Sequence, residues 1–290
     1  MIDSYLRGVV MAVIELEKVN FSYDGKKDIL KNINLKIDEG EIFGLIGPSG
    51  AGKTTIIKLL TGQLFSKDKV KVFNEVPKGK AFYEQIGFVM DSIGLYERLT
   101  CYENLKIMSM IHNVNVLNIM EKLEMVGLKD DANKAVYKLS SGMRQRLMIA
   151  RGILHSPRIL FLDEPTRGLD PATAKDIQEI FLKIKDEGTT IFLTSHNMQE
   201  VEKICDSVAF LFNGELVECG KINAIKQKYK LNNIVKFVDD EGKKMKYDIK
   251  KDKNELIDAI KRNDSFFISS ESISLEDIFI KLKRLSCDDN

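Results

Sequence analysis

Apolar and polar residues alternate along residues 12–43, and a period of two is typical of half-buried β-strands. The alternation breaks at Asp24–Gly25, a dipeptide that favours a turn. These features predict an antiparallel β region at the start of the chain. The positions expected to face the core are Ile14, Leu16, Val19, Ile33, Leu35 and Ile37.

Short continuous apolar runs replace this alternation farther along the chain. Such runs are typical of strands buried on both faces, and the helical patterns between them favour a mostly parallel sheet. Between about residues 92 and 155, apolar residues recur at helical spacing, which predicts a helical subdomain inserted into an α/β core. The apolar runs are Ile42–Ile46, Arg158–Leu162, Thr190–Leu193 and Val208–Leu211.

The composition changes near residue 224, where lysine becomes dense. We therefore predict a first domain over residues 12–223 and a small α+β appendage over residues 224–290. The elements predicted for the appendage are a hairpin over residues 234–249, a helix near Glu255–Lys261, a strand at Ser265–Ile268 and a helix over Ser274–Leu285, capped by Ser274 with Asp277.

The charge balance, 44 basic against 43 acidic side chains, gives no electrostatic reason to expect a nucleic-acid partner. The cysteines show no Cys-x-x-Cys spacing, so neither a metal site nor a disulfide framework is predicted, and a cytoplasmic setting is favoured.

No apolar run approaches the roughly 18 residues of a membrane span. The run at residues 9–14 does not resemble a signal peptide, and Met11 is an alternative start. A membrane role would therefore depend on a partner.

The segment Gly47–Thr55 fits the pattern G-x-x-x-x-G-K-[ST] between an apolar run and a helical pattern. Glycines let the backbone approach phosphate closely, and the N–H groups at a helix start attract an anion. Lys53 is predicted to reach the β- and γ-phosphates of a nucleoside triphosphate, and Thr54 to ligate Mg²⁺. A glycine turn before a helix is the alternative. The predicted nucleotide-binding residues are Gly47, Pro48, Ser49, Gly50, Ala51, Gly52, Lys53, Thr54 and Thr55.

Two carboxylates follow the apolar run that ends at Leu162. Asp163 is predicted to hold Mg²⁺, and Glu164 to deprotonate the attacking water. His196 follows the next apolar run and is predicted to contact the γ-phosphate or to hold water and base in line. Ligands bind beyond the carboxyl ends of parallel strands, so these residues should converge on the phosphate loop. The alternatives are a solvent-facing acidic pair and a structural histidine.

Tyr23 lies at the end of the first alternating segment, upstream of the phosphate loop. Its ring is a candidate for stacking on adenine. The alternative is an ordinary aromatic residue of a strand.

Further segments complete a set of motifs. These are Leu139–Arg146, which resembles a signature segment, Leu162–Pro171, which resembles a Walker B motif running into a D-loop, and Thr194–His196, which resembles a switch histidine. Over about residues 12–220, the chain resembles the ATP-binding subunit of an ABC transporter. The resemblance implies the P-loop NTPase fold of the ABC type, and it supports the roles given above to Tyr23 and His196.

The resemblance also implies a two-fold dimer with ATP at its interface. Each nucleotide would lie between the phosphate loop of one copy and Ser140 and Gly142 of the second copy. Asp170 would help to join the two sites. ATP would stabilise the closed pair because it contacts both copies, and hydrolysis would release it.

The sequence departs from the commonest family pattern at three positions. The signature has Ser141 and Met143 in place of glycine and glutamine. Asp91 stands at the glutamine position of the Q-loop, where it is a candidate metal ligand or a loop aspartate without a function. These features are similar to bacitracin- and lantibiotic-type exporters, and residues 274–279 resemble the tail of ABC-2 type export ATPases.

The sequence as a whole predicts an ATPase that drives a separate ABC-2 type membrane permease. Export of drugs, antimicrobial peptides or other amphiphiles is expected, with the subunit at the cytoplasmic face of the membrane. A groove near Asp91 and Leu95–Tyr96 is expected to receive a short helix of the permease. A non-transport ABC ATPase and an ATP-binding regulatory module with weak hydrolysis are the alternatives.

Overall fold

The computed structural model describes residues 12–90, 94–229, 234–249, 251–263, 265–270 and 273–288. Within these residues the chain forms two compact units, with the boundary between Gly220 and Lys221. The boundary predicted from composition, at 223/224, lies slightly downstream of this point.

The first unit contains both strands and helices. Its strands are β1 (Ala12–Phe21), β2 (Leu30–Asp38), β3 (Ile42–Ile46), β4 (Lys69–Val72), β5 (Ile86–Val89), β6 (Ile159–Asp163), β7 (Thr190–Ser195), β8 (Ser207–Phe212) and β9 (Glu215–Lys221). Its helices are α1 (Lys53–Leu60), α2 (Lys80–Tyr83), α3 (Cys101–His112), α4 (Leu117–Met125), α5 (Ser141–Ile153), α6 (Pro171–Asp186) and α7 (Met198–Ile204), with a 3₁₀ turn at Val136–Lys138.

The antiparallel β region predicted at the start of the chain is confirmed. β1 pairs antiparallel with both β2 and β4 in a three-stranded sheet. The apolar side chains predicted to face the core in β1 and β2 are buried. The period of two holds over parts of each strand and is interrupted by a register shift between Leu16 and Val19, beside Lys18 with its φ of +50°. The buried side chains of β1 and β2 form a common core with side chains of β3, α1 and β6.

The second sheet of this unit has six strands in the order β5-β6-β7-β3-β8-β9, and the pairs from β5 through β8 are parallel. Every residue of β3, β7 and β8 is buried, which confirms the prediction of a parallel sheet covered on both faces. Because β6, β7 and β3 are adjacent and parallel, their carboxyl ends lie at one edge.

Helices α3, α4 and α5 form the predicted helical subdomain, and local signals define their ends. Thr100 and Glu103 form a capping box at the start of α3, and Ser140 caps α5 by accepting the N–H of Met143 at 3.2 Å. Gly127, with a φ of +70°, follows the end of α4 in the left-handed conformation typical of a helix stop.

The second unit is the predicted α+β appendage. Its elements are α8 (Ile222–Tyr229), β10 (Ile234–Val238), β11 (Lys244–Asp248), α9 (Lys253–Arg262), β12 (Phe267–Ser270) and α10 (Leu275–Asp288). The strands form an antiparallel sheet in the order β11-β10-β12. The predicted Ser274–Asp277 cap is present, but the last strand begins at Phe267 and not at Ser265. None of the helices in the described ranges is long and apolar enough to cross a bilayer.

Candidate active site

The loop between β3 and α1 requires glycine at two positions. A Cβ atom on Gly47 would lie 2.4 Å from the carbonyl oxygen of Leu211. Gly52 has a φ of +112°, and a Cβ there would lie 2.7 Å from Leu30 Cδ2. The backbone therefore passes close to neighbouring strands, and α1 begins at Lys53 with its first N–H groups at the loop. This geometry suits an anion at the helix start.

Lys53 is buried, yet its ammonium group points back to the loop. Its Nζ donates to the carbonyl oxygens of Gly47 at 2.7 Å and Pro48 at 3.3 Å. The same Nζ lies 3.5 Å from Glu164 Oε1. The sheet thus brings the predicted phosphate-binding lysine and the predicted base together.

Asp163 is held from two sides. Thr54 Oγ1 donates to one carboxylate oxygen at 3.1 Å, and Thr194 Oγ1 donates to the other at 2.5 Å. Thr194 reaches Asp163 because β6 and β7 pair in parallel register at these two residues. Thr194 was not predicted from the sequence, although it directly precedes the Ser195–His196 pair.

Glu164 is the first residue after β6, and its backbone is unusual. Its φ of +50° lies in the left-handed region that non-glycine residues rarely adopt. Its N–H donates to both the carbonyl oxygen and Oγ1 of Thr194, each at 3.1 Å. Its Oε2 lies 2.5 Å from Nδ1 of His196. Glu164 is therefore not a solvent-facing carboxylate, since its side chain is only 18% exposed. The catalytic roles of Glu164 and His196 stay predictions.

These residues line one cleft of about 660 Å³. Gly47 and Ala51 lie behind it, since Gly47 packs against Leu211 and Ala51 is in the core. Ile29 and Arg167 also line the cleft and were not predicted. The full lining consists of Ile29, Pro48, Ser49, Gly50, Gly52, Lys53, Thr54, Thr55, Asp163, Glu164, Arg167 and His196.

Comparisons with known proteins identify the family of this chain. A family model described as ABC transporter matches residues 30–167. A fluoroquinolones export ATP-binding protein of Mycobacterium tuberculosis is 41% identical over 71% of this chain and 69% of its own length. The chain belongs to the ABC transporter family. It is an ATP-binding, ATP-hydrolysing subunit, as predicted.

The names of other relatives of this ABC protein state the transport systems to which they belong. A bacitracin transport ATP-binding protein of Enterococcus faecalis is 39% identical over 71% of this chain and 68% of its own length. A lantibiotic transport ATP-binding protein of Streptococcus pyogenes is 37% identical over 71% of this chain and 89% of its own length. Among solved structures, a dimeric ATP-binding cassette in a post-hydrolysis state with ADP and Pi matches with a TM-score of 0.65. It is 27% identical and covers 72% of this chain and 98% of that structure.

Tyr23 of the ABC protein lies beyond the end of β1 and is 58% exposed. Its ring meets Phe21 edge-on, with the centroids 5.1 Å apart. Its hydroxyl oxygen lies 3.2 Å from Thr55 Oγ1, beside the cleft. The alternative that Tyr23 is an ordinary strand aromatic is wrong, because the ring lies outside the strand and is largely open to solvent.

The signature segment lies apart from the cleft. Ser140 is exposed at the start of α5, and a Cβ on Gly142 would lie 2.4 Å from Thr173 Cγ2 of α6. Asp170 caps α6 by accepting the N–H groups of Ala172 and Thr173 at 3.1 and 3.0 Å. Hydrogen bonds from the Thr173 hydroxyl and backbone lower the pKa of Asp170. None of these predicted interface residues lines the cleft of its own chain.

The remaining predicted site residue is Asp91, at the Q-loop position. It lies outside the described residues, so its proposed contact with the metal stays a prediction.

Proposed function

We propose that this ATPase powers export of drugs, antimicrobial peptides or other amphiphiles through a separate membrane permease. The observation that carries the chemistry is the convergence of Lys53, Asp163, Glu164 and His196 on one cleft beside the phosphate loop. The support for export comes from the relatives, which are named as ATP-binding proteins of fluoroquinolone export, lantibiotic transport and bacitracin transport. These names favour transport over a non-transport role.

The phosphates of ATP would be bound by the N–H groups of the loop and by Lys53. The Lys53 ammonium would exchange its carbonyl acceptors for phosphate oxygens, which requires only rotation of its flexible side chain. Tyr23 lies beside Thr55 with its ring exposed, and it would stack on the adenine. The cleft and this ring together would hold both ends of the nucleotide.

The donors around Asp163 suit Mg²⁺. This hard cation prefers oxygen ligands, and the Thr54 hydroxyl lies beside the Asp163 carboxylate. Mg²⁺, when bound, would neutralise charge on the β- and γ-phosphates. Thr194 would keep the carboxylate in place through its 2.5 Å hydrogen bond.

Glu164 would act as the general base. A water held by its carboxylate would lose a proton to it while attacking the γ-phosphorus, and the bond to the β-phosphate oxygen would break to give ADP and phosphate. His196 would orient the carboxylate through Nδ1. His196 is mostly exposed in one chain, so a second surface that covers the cleft would exclude bulk water from the pair.

That second surface would be another copy of the chain. Ser140 and Gly142 lie at the N-terminal end of α5, where N–H groups attract an anion. They do not line their own cleft, so they would bind the nucleotide of the partner copy. Asp170, at the start of α6, would join the two sites. The dimeric relative with ADP and Pi supports this arrangement.

The sequence predicts that the permease binds near Asp91 and Leu95–Tyr96, but Asp91 is outside the described residues, and Leu95 and Tyr96 do not line the apolar groove found in the described part of the chain. The permease would instead bind in this groove of about 450 Å³, which is formed mainly by β5, α3 and α5. Apolar side chains dominate its lining, including Phe88, Met108 and Met148, so the groove fits an amphipathic helix.

We infer an ABC-2 type permease, because residues 274–279 resemble the tail of ABC-2 type export ATPases. We also infer that the subunit lies at the cytoplasmic face of the membrane. No nucleic-acid partner is expected from the charge balance.

Co-expression with a candidate ABC-2 type membrane permease tests the proposal. We expect the two to co-purify, and the complex to hydrolyse ATP faster when vesicles contain a transported amphiphile. The control variant Phe88→Asp places a charge in the groove and should abolish co-purification while ATP binding persists. Absence of co-purification would instead favour a non-transport ATPase. Binding without turnover, with the partner present, would favour a regulatory module.

A further inference from the structure

Glu200 is a buried carboxylic acid that the proposed chemistry does not use. It lies on α7 and is 2% exposed. Its burial raises its pKa above the usual value, since desolvation disfavours the ionised form. Burying such a group is costly unless it is well hydrogen-bonded, so its partners are informative.

The partners of Glu200 come from the segments that carry the catalytic pair. The Thr166 hydroxyl lies 2.8 Å from both carboxylate oxygens, and the Ser195 hydroxyl donates to Oε2 at 3.1 Å. Thr166 follows Glu164 by two positions, and Ser195 directly precedes His196. A third hydrogen bond comes from the Gln178 side chain of α6. One carboxyl group thus connects the loop after β6, the end of β7, and α6.

We propose that Glu200 is a positioning residue for hydrolysis, and that its hydrogen bonds to Thr166 and Ser195 hold Glu164 and His196 at their working separation. The backbone of Glu164 needs such support because its left-handed φ is unfavourable for a residue with a side chain. The inference rests on the proposed roles of Glu164 and His196.

Glu200→Ala tests the inference. It removes the acceptor of both hydroxyls, so the two segments lose their common anchor. Misplacement of a catalytic group by about 1 Å costs on the order of 100-fold in rate. We expect kcat to fall roughly 10- to 100-fold on that basis. KM for ATP should change by less than about twofold, since the side-chain partners described for Glu200 are Thr166, Ser195 and Gln178 and none of them belongs to the phosphate loop. Steady-state hydrolysis over a range of ATP concentrations measures both quantities, and single-turnover hydrolysis reports the chemical step alone.

Two variants keep the test valid if Glu200→Ala fails to fold. Glu200→Gln retains the length and one carbonyl acceptor, so its kcat should lie between those of the wild type and the alanine variant. Thr166→Val replaces the hydroxyl by a methyl group of the same shape and should lower kcat with KM unchanged. Gln199→Ala, an exposed change on the same helix, is the matched control and should leave both constants unchanged.

A double-mutant cycle separates positioning from general structural damage. If Glu200 acts through the catalytic pair, its loss should cost little more in a Glu164→Gln background. An undiminished cost in that background, or a wild-type kcat in Glu200→Ala and Thr166→Val, would overturn the inference. If the proposed function itself were wrong, Glu164→Gln would hydrolyse ATP normally. That result is distinguishable from a failure of the inference about Glu200.

Discussion

Replacement of the proposed base by its amide, Glu164→Gln, is the sharpest test of the chemistry. The change keeps the shape of the side chain, and the amide oxygen can still accept from a protonated Nδ1 of His196, 2.5 Å away in the present structure. It removes the carboxylate that lies within 3.5 Å of Lys53 Nζ and 2.5 Å of His196 Nδ1. The variant should therefore bind ATP in the same geometry but lack the means to deprotonate water.

The size of the effect follows from the lost proton transfer. General-base catalysis contributes about 10²- to 10⁴-fold, so we expect the turnover rate to fall by at least roughly 100-fold, or about 2.7 kcal/mol of barrier. ATP affinity should hold or improve, because a negative charge next to the phosphates is removed. With ATP no longer cleaved, the variant should accumulate as a dimer.

The assay combines single-turnover hydrolysis with size-exclusion chromatography in ATP and Mg²⁺, with the permease supplied. Glu179→Gln, an exposed acid-to-amide change on α6 outside the cleft, is the matched control and should behave as wild type. Near-normal hydrolysis by Glu164→Gln would refute its role as base. A variant that stays monomeric under these conditions would refute the shared nucleotide site.

Two further predictions concern the loop and the first sheet. Gly47→Ala would place a methyl group 2.4 Å from the Leu211 carbonyl oxygen, so we expect a loss of about 1–3 kcal/mol in stability by overpacking and weaker ATP binding, measured by thermal unfolding and nucleotide titration. Unchanged values would show that the loop relaxes freely. Hydrogen bonds from Lys36 and Lys69 lower the pKa of Glu15 to about 2, so its stabilising contribution is present above the unfolded-state value near 4.5 and is lost as pH falls towards 2. Denaturant unfolding across this window should show a smaller pH dependence for Glu15→Gln, and an equal dependence would contradict the assignment.

The amino-acid sequence by itself determined the features that depend on local spacing. The phosphate loop is recognisable because its glycines and Lys53 lie within one short segment, and the caps at Ser140 and Ser274 are equally local. The period-two pattern of β1 and the apolar runs of the parallel sheet depend only on which face of a strand is buried. These patterns predicted the fold class. They also predicted where the strands that lead to Asp163 and His196 end.

Only the tertiary structure decided which of these segments meet. Thr194 contacts Asp163 because β7 lies beside β6 in parallel register, and no local pattern encodes that pairing. Glu200 joins Ser195, five residues before it, to Thr166, which lies 34 residues away along the chain. Helical periodicity also could not show that Ile111 is 66% exposed while Leu105, on the same helix, is buried. Burial and long-range pairing depend on how the elements pack together, which periodicity within a single segment does not specify.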